Sequence, residues 1–358
     1  MNRRTLLTSA IGLAGIAGAA AWFARHRAAS GRIQAPAPAA NEPPTSPQMQ
    51  FREFGSTGLK VSEVGFGSWG IGGDGYGAVE KQESLNTLAR AEELGCNFVD
   101  TALVYGDSEL VLGEFLQGRR SRWIVATKFS GQSEGMTATL EKQLKRLQTD
   151  VVDYYQLHWV PRGKDESLFD ELAKLKQAGK ARFIGVSLYT AEDIDFILKR
   201  PEIDGFQVEF NLLEPDPFMA RAADIRDSGK AVIVRSALRE GFLTGKFKRD
   251  ATFPDPKDQR HKWSKEQIAQ TVDHVERFRF LEQEAGSMVV AAARYPLSFP
   301  QVSTVILGTK SVSQADSNFG KVPGGRLSPQ SLERISDTQV ELGLGLRWQR
   351  LLRRFGLA

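Results

Sequence analysis

The chain has 358 residues, of which 41% are hydrophobic and 25% are charged, so it can bury a large core and is neither a disordered chain nor a small disulfide scaffold. Its formal net charge is +4, but residues 1–40 carry five arginines and no acidic residue, which leaves 42 basic against 43 acidic residues from position 41 onward. A nearly neutral body does not support nucleic-acid binding, and the single cysteine excludes an intramolecular disulfide.

The first 24 residues have the composition of an export signal. Arg3 and Arg4 stand directly before an apolar stretch, Leu6–Ala24, that is rich in glycine and alanine. This arrangement resembles a twin-arginine signal, which implies recognition by the twin-arginine (Tat) export machinery and a periplasmic location. The alternative is a signal anchor that stays in the membrane, because a stretch of this length just crosses a bilayer core of about 30 Å.

The next 24 residues predict a linker. Residues 25–48 contain five prolines among alanine, serine and threonine, with little to bury, which is typical of an extended segment. Two cleavage sites for the signal fit the sequence, one after Ala19–Ala21 and one after Ala37–Ala39. We therefore divide the chain into a signal peptide (1–24), a linker (25–48) and one folded domain (49–358).

The folded domain contains eight short apolar runs that are typical of strands buried on both faces. These runs are Val64–Phe66, Phe98–Val99, Trp123–Ala126, Val151–Leu157, Arg182–Val186, Gly205–Val208, Ala231–Val234 and Thr304–Leu307. Amphipathic helical patterns alternate with them at Glu80–Leu94, Ser108–Leu116, Thr137–Leu147, Ser167–Gln177, Ala191–Leu198, Pro217–Asp227, Lys265–Ala285 and Ser311–Phe319. Strict alternation predicts an α/β fold in which a parallel sheet closes into a single (β/α)8 TIM barrel.

Two further segments lie outside the alternating pattern. Phe51–Phe54 and Leu59–Val61 are joined by the glycine-flanked turn Gly55–Gly58, and they predict an N-terminal β-hairpin that caps the bottom of the barrel. The segment Arg239–Ser264 after the seventh strand is long and polar. Since binding loops of barrels lie at the carboxyl ends of the strands, we expect a lid or binding loop there.

Four polar side chains near the predicted strand ends are placed to converge over one mouth of such a barrel. Asp100, Lys128 and His158 end the second, third and fourth strands, and Tyr105 lies five residues beyond Asp100. Lys128 beside the phenol would stabilise the phenolate and draw the pKa of Tyr105 from its usual value of about 10 toward neutrality. The group predicts a tyrosine general acid that protonates a developing alkoxide.

From Phe51 to Phe319 the sequence resembles the aldo-keto reductase family. The resemblance rests on eight motifs in family order: L-K-V-S-E-V-G-F-G (59–67), D-T-A-x-x-Y-G (100–106), A-T-K (126–128), Q-L-H (156–158), G-V-S (185–187), Q-V-E-F-N-L-L (207–213), G-F-L-T-G-K (241–246) and I-L-G-T-K (306–310). It implies a catalytic tetrad of Asp100, Tyr105, Lys128 and His158. It also implies reduction of aldehydes or ketones with NADPH, in which His158 orients the substrate carbonyl and assists the proton relay.

The resemblance also assigns cofactor-binding positions. Ser187 and Gln207 match polar groups that the family uses on the nicotinamide carboxamide, and Phe210 takes a place usually held by a tyrosine that stacks on the nicotinamide ring. Leu188 departs from the family pattern, which usually has an asparagine after G-V-S.

A second group of matching positions surrounds the adenosine end of the cofactor. Lys310 matches a basic position that meets the 2′-phosphate of NADP, which predicts a preference for NADPH over NADH. Ser311, Gln314 and Asn318 fall on family positions around the adenosine. Leu307 stands where a proline often precedes the glycine.

Each of these features also has a structural interpretation. Asp100 and Lys128 could form only an ion pair at the barrel rim. His158 could be a core residue or a metal ligand, but no second ligand accompanies it at metal-binding spacing, so we expect no metal site. Trp69, Tyr76 and Trp159 could wall an apolar substrate pocket or simply pack at the rim.

Two further alternatives stay open. The basic stretch Leu346–Phe355 carries four arginines on an amphipathic pattern, and it either docks on the barrel, closes over the cofactor or binds a membrane or partner. The competing class of function is a nicotinamide-binding regulatory or interaction module with little turnover. The intact tetrad favours the enzyme, because a pure binding module has no need for Tyr105.

Overall fold

The computed structural model describes residues 48–73, 75–132, 134–161 and 166–344. The predicted signal (1–24), the linker up to residue 47 and the basic stretch Leu346–Phe355 lie outside the described residues, so the interpretations of these segments stay predictions. Within the described ranges, no helix combines the length and the apolar composition that crossing a membrane requires.

Eight parallel strands close into the predicted barrel. Two short strands precede them, and the ten strands are β1 (Phe51–Glu53), β2 (Lys60–Ser62), β3 (Val64–Gly67), β4 (Phe98–Asp100), β5 (Ile124–Phe129), β6 (Val152–Leu157), β7 (Ala181–Leu188), β8 (Gly205–Glu209), β9 (Ala231–Arg235) and β10 (Thr304–Gly308). β3 to β9 pair in chain order, and β10 closes the ring between β9 and β3. All eight predicted barrel strands are confirmed.

The central barrel strands are rich in apolar residues because both of their faces are covered. All six residues of β5 and all six of β6 are buried, one face toward the barrel interior and the other toward the surrounding helices. The carboxyl ends of the eight strands form one end of the barrel, which we call the mouth, and the amino ends form the bottom.

Helices cover the outside of the barrel. They are α1 (Lys81–Glu93), α2 (Ser108–Phe115), α3 (Met136–Leu147), α4 (Ser167–Gln177), α5 (Ala191–Leu198), α6 (Ala222–Ser228), α7 (Lys265–Glu276), α8 (Glu282–Ala285), α9 (Met288–Leu297), α10 (Val312–Gly320) and α11 (Pro329–Leu342). Side-chain caps begin several of them; Thr190 and Ser264, for example, form capping boxes at α5 and α7.

Two helix predictions were wrong in part, and two helices, α9 and α11, were not predicted. The predicted helix Lys265–Ala285 is broken into α7, a 3-10 turn and α8, because the chain leaves the helical path at Phe278 to bury that side chain. The predicted Pro217–Asp227 begins as a 3-10 turn and becomes helical only at Ala222. α9 was not predicted, because eight of its ten residues are buried and it therefore lacks the periodic polar face that marks an amphipathic helix.

The predicted hairpin is present and closes the bottom of the barrel. β1 and β2 pair antiparallel, and the turn between them places Phe54 inside the barrel. The Phe54 ring meets the Tyr154 ring edge-on at 5.2 Å between centroids and lies 5.7 Å from the Phe98 ring. These side chains belong to a second apolar cluster, separate from the main core.

The long segment after β9 crosses the mouth. It contains two short 3-10 turns, Arg239–Thr244 and Gln259–Lys262, and contacts the loop that follows β3. Nε2 of Gln259 donates to the Tyr76 hydroxyl at 2.7 Å, and Asp258 forms an isolated parallel bridge with Gly75. The segment therefore lies where the sequence predicted a lid or binding loop.

Candidate active site

The structure brings the four predicted catalytic residues together at the mouth. Asp100 is the last residue of β4, Lys128 lies one residue before the end of β5, and His158 follows β6 directly. Lys128 Nζ lies 4.8 Å from the centroid of the Tyr105 ring, and the Tyr105 and His158 ring centroids are 5.9 Å apart. The four side chains form one continuous group.

Asp100 and Lys128 form a buried ion pair. Nζ of the lysine lies 2.5 Å from Oδ1 of the carboxylate, and the two side chains are 0% and 2% exposed. Oδ2 of Asp100 accepts hydrogen bonds from the amides of Gln156 and Gln207 at 3.0 and 2.9 Å. Burial is the largest single effect and lowers the pKa of Lys128, but the charges of Asp100 and Tyr105 and their hydrogen bonds to the ammonium together raise that pKa, so the lysine stays charged.

The backbone around Tyr105 is held from two sides. A Cβ at Gly72 would lie 1.9 Å from the Tyr105 carbonyl oxygen, so only glycine allows the loop after β3 to approach this closely. The Gly72 carbonyl in turn accepts from the amide of Asp107 at 3.0 Å. Arg146 of α3 donates to the Gly106 carbonyl at 2.6 Å. These contacts fix the phenol over Lys128.

The expected lowering of the Tyr105 pKa was wrong in direction. Burial is the largest effect on this phenol and raises its pKa, while the charge of Lys128 lowers it by less. The sequence shows that Lys128 lies near Tyr105, but it does not show how deeply the phenol is buried. Tyr105 therefore holds its proton at neutral pH, as a proton donor must before the reaction.

His158 is neutral over the physiological pH range. Burial, followed by the charges of Lys128 and Arg235, lowers its pKa to about 3. Its Nδ1 is hydrogen-bonded to the Ser130 hydroxyl at 2.8 Å. A neutral imidazole that is oriented in this way suits a hydrogen bond to a carbonyl oxygen better than it suits proton transfer.

Ser187 and Gln207 lie side by side at the mouth ends of β7 and β8, where they are paired in register. The Ser187 hydroxyl is buried and has no hydrogen-bond partner in the described part of the chain. A buried polar group of this kind points to a missing partner, and a ligand amide is a suitable one. Leu188, the departure from the family pattern, is fully buried.

The structure does not support the stacking role of Phe210. Its ring is 0% exposed and stacks on Phe218 at 4.3 Å, with Tyr295 and Phe299 at 5.0 and 5.2 Å. An aromatic side chain directly after a strand can point outward to the helices or inward to the barrel. Here apolar neighbours on α9 and just after it pack around the Phe210 ring and bury it in the core. It therefore has no face left for a cofactor.

The four predicted residues of the adenosine end lie together where β10 leads into α10. The Ser311 hydroxyl caps α10 by accepting from the Gln314 amide at 3.3 Å, and Gln314 Oε1 accepts from the Lys310 amide at 2.9 Å. Asn318 donates to the Thr309 hydroxyl at 2.9 Å. The junction is therefore an ordered group of polar residues at the N-terminus of α10, where the Val312 amide already donates to the Glu83 carboxylate at 3.1 Å.

Two further cations, Arg260 and Lys246, lie near Lys310, and the sequence analysis did not assign them to the site. Lys310 Nζ donates to the Tyr76 carbonyl at 2.8 Å, and Arg260 lies 5.0 Å from the Tyr76 ring centroid. Burial, followed by the charges of Arg260 and Lys310, lowers the pKa of Lys246. Arg260 is paired with Asp258 at 2.5 Å, so the attraction for an anionic ligand comes mainly from Lys246 and Lys310. Only the length and position of the segment after β9 could have indicated Arg260 in advance.

Arg235 at the end of β9 is a further mouth residue that sequence reasoning missed. Its guanidinium pairs with Glu209 at 3.1 Å, donates to the Leu188 carbonyl at 3.2 Å and lies 4.6 Å from the Tyr189 ring centroid. The sequence contains no signal for Arg235, because a charged residue at the end of an apolar run is also typical of a strand that simply ends in solvent.

In the described ranges, no group of three or more His, Cys, Asp or Glu side chains could hold a metal ion.

Comparison with known proteins agrees with the barrel fold. An aldo-keto reductase of Bacillus subtilis (YhdN) is 28% identical over 80% of this chain and 93% of its own length, and an NADH-specific methylglyoxal reductase of Escherichia coli is 27% identical over 70% and 83%. The solved structure of a glycerol dehydrogenase from Gluconobacter oxydans superposes with a TM-score of 0.71 at 26% identity, covering 83% of this chain and 97% of that one. The sequence model of the Aldo/keto reductase family matches residues 63–339, and the chain belongs to this family.

Proposed function

We propose that this protein reduces aldehydes or ketones with NADPH and that Tyr105 donates the proton. The observation that carries the proposal is the buried pair of Lys128 and Asp100, with the Lys128 ammonium 4.8 Å from the centre of a Tyr105 ring that keeps its proton. Neutral His158 completes the group. Membership of the family supports oxidoreductase chemistry on carbonyl compounds.

Each residue has a separate part in the reaction. Tyr105 donates its phenolic proton to the carbonyl oxygen as negative charge develops there, and Lys128 stabilises the phenolate that remains. Asp100 keeps Lys128 charged and in place. His158 holds the carbonyl oxygen by a hydrogen bond. A bound reduced nicotinamide supplies the hydride.

The residues at the mouth fit such a cofactor. The unpartnered Ser187 hydroxyl, together with Gln207, suits the carboxamide. The surface of Ser311, Gln314 and Asn318 suits the adenosine end, and the cation group around Lys310 suits a phosphate. These features support the proposal that the cofactor is NADPH.

The test is a substrate screen with both cofactors. Purified protein is mixed with NADPH or NADH and a panel of aldehydes, ketones and sugars, and cofactor oxidation is followed by absorbance. We expect NADPH-dependent turnover of at least one carbonyl class. Tight NADPH binding without turnover across the panel would instead favour the regulatory or interaction module.

We expect Lys310→Glu to remove or reverse the preference for NADPH, because a carboxylate would face the 2′-phosphate where an ammonium now stands. The KM for NADPH should rise at least about tenfold, while the KM for NADH changes little. Lys321→Glu, the same charge change just after the bottom end of α10, is the control. Equal affinity of the wild type for both cofactors would remove Lys310 from this role.

We also propose that the chain is exported by the twin-arginine machinery, folded and with its cofactor bound, because NADPH is made in the cytoplasm. Changing Arg3 and Arg4 to lysine should then leave unprocessed, active protein in the cytoplasm. Cell fractionation with activity assays checks this. Export of the double variant would contradict the signal, and periplasmic protein isolated without nicotinamide would contradict loading before export.

A further inference from the structure

A buried cluster of polar side chains lies behind the catalytic group, on the outer face of β5 and β6 and beneath α2 and α3. It consists of Glu109 on α2, Thr127 on β5, Gln143 and Arg146 on α3, and Tyr155 on β6. All of these side chains except that of Arg146 are fully buried. Buried polar groups are costly unless they bond to one another, so each of them is held in a specific orientation.

Gln143 is the centre of this cluster. Its Nε2 lies 2.9 Å from Oε1 of Glu109, 2.9 Å from Oγ1 of Thr127 and 3.0 Å from the Lys128 carbonyl oxygen. A side-chain amide has two N–H protons, so these three acceptors share them. The Tyr155 hydroxyl donates to Oε1 of Gln143 at 3.1 Å, which holds the amide with its nitrogen toward β5.

The Lys128 carbonyl is bonded to this amide at a point where the neighbouring strand has ended. The Ala126 carbonyl, two residues earlier on β5, accepts from the amide of Thr101 at 2.8 Å, and β4 ends at Asp100. Because carbonyls point alternately to the two neighbours of a parallel strand, the Lys128 carbonyl points past the end of β4. Gln143 takes the place of a strand there, so the backbone of the catalytic lysine is held from outside the barrel.

The same cluster reaches the backbone next to the phenol. Oε2 of Glu109 lies 3.3 Å from Nε of Arg146, and the Arg146 guanidinium donates to the Gly106 carbonyl at 2.6 Å. Gly106 directly follows Tyr105. One chain of polar contacts, with Gln143 at its centre, therefore joins the backbone of the catalytic lysine to that of the catalytic tyrosine.

We propose that Gln143 is a positioning residue for carbonyl reduction, which fixes the distance between the Lys128 ammonium and the Tyr105 phenol. The proposal rests on the proposed reductase function. Lys128 Nζ lies 4.8 Å from the centroid of the Tyr105 ring, and its stabilisation of a phenolate falls as this distance grows. A misplacement of about 1 Å can cost about a hundredfold in rate even when the altered residue is remote from the reacting atoms.

The experiment compares Gln143→Met with Gln339→Met, in assays with NADPH and methylglyoxal. We expect Gln143→Met to lower kcat at least about tenfold, while KM for either compound changes less than about threefold. Methionine is close to glutamine in length but offers no amide. Loss of the amide therefore moves the backbone of Lys128 without altering the groups that bind substrate and cofactor.

Gln339 is the matched control because it is a second buried glutamine with the same kinds of partner. Its Nε2 donates to the Leu212 carbonyl at 3.0 Å and to the Tyr295 hydroxyl at 3.3 Å, and it lies on α11, outside the cluster. Gln339→Met should lower the resistance to denaturant about as much as Gln143→Met does. It should leave kcat unchanged.

Crystal structures of both variants give a readout that does not require turnover. The distance from Lys128 Nζ to the Tyr105 ring centroid, now 4.8 Å, should change by about 1 Å in Gln143→Met and stay the same in Gln339→Met. Tyr155→Phe removes only the hydroxyl that orients the amide, and it serves if Gln143→Met folds poorly. It should lower kcat at least about twofold.

The outcomes separate this proposal from the reductase function. Wild-type kcat in Gln143→Met, an equal loss of kcat in both methionine variants, or an unchanged distance between Lys128 and Tyr105 would each overturn the positioning role, because the cluster would then only support packing. If the wild type reduces no carbonyl compound but the distance changes in Gln143→Met alone, the reductase function is contradicted and the positioning of Lys128 stands.

Discussion

Replacing Tyr105 by phenylalanine is expected to lower kcat for carbonyl reduction by about 10²- to 10⁴-fold, because the change removes the proton donor and a single oxygen atom. The ring and its neighbours Lys128 and Trp69 stay in place, so the NADPH dissociation constant should change little. Absorbance assays give the rate, and fluorescence titration gives the affinity. A variant that keeps more than about a tenth of the wild-type rate would show that another group is the acid.

Tyr76→Phe is the matched control, since it removes a second phenolic hydroxyl at the mouth that is bonded to Gln259. Its loss of activity should stay below about tenfold.

The pH profile of kcat/KM gives an independent check of the proton donor. Burial raises the pKa of Tyr105 and the pKa of His158 is lowered to about 3, so kcat/KM should be flat between about pH 5 and 8. An inflection near pH 6.5 would assign the proton to His158.

Lys128→Met should abolish activity and also destabilise the fold. The methionine leaves the Asp100 carboxylate buried without its cation, although Gln156 and Gln207 still donate to it. Removing one partner of a buried pair typically costs about 3 to 5 kcal/mol in the free energy of unfolding. Denaturant unfolding measures this loss. A loss below about 1 kcal/mol would show that the pair is weakly coupled.

The double variant Asp100→Asn, Lys128→Met separates stability from catalysis. Neutral side chains at both positions remove the unpaired charge, so most of the lost free energy of unfolding should return. Activity should stay at least about a hundredfold below the wild type, because no cation remains to stabilise the Tyr105 phenolate. Recovery of both properties would mean that the pair is only structural.

The barrel and the convergence of the four candidate catalytic residues were predictable because both depend on local sequence patterns. Doubly buried strands give apolar runs that amphipathic helical patterns separate, and strand ends place Asp100, Lys128 and His158 at one edge without further information. The position of α9 was not predictable in the same way. Its residues Ala291–Ala293 are buried on every side, so no polar face marks the helical period.

The pKa of Tyr105 and the predicted cofactor contact of Phe210 could not be read from the sequence, because both depend on tertiary packing. The pKa of Tyr105 is set by how much protein surrounds it, and sequence shows only that Lys128 is near. Phe210 matched a family position, but Phe218 and Tyr295, which lie 8 and 85 positions further along the chain, determine which way its ring turns. Arg235 and Arg260 become informative only once the loops are placed.

The hairpin at the bottom of the barrel determines the direction from which the preceding chain arrives. Gln50 bonds to Glu63, and Arg52 donates to the carbonyls of Leu297 and Val302 just before β10, so the described chain begins at the end remote from the mouth. The described chain therefore enters the barrel at the end opposite the four candidate site residues.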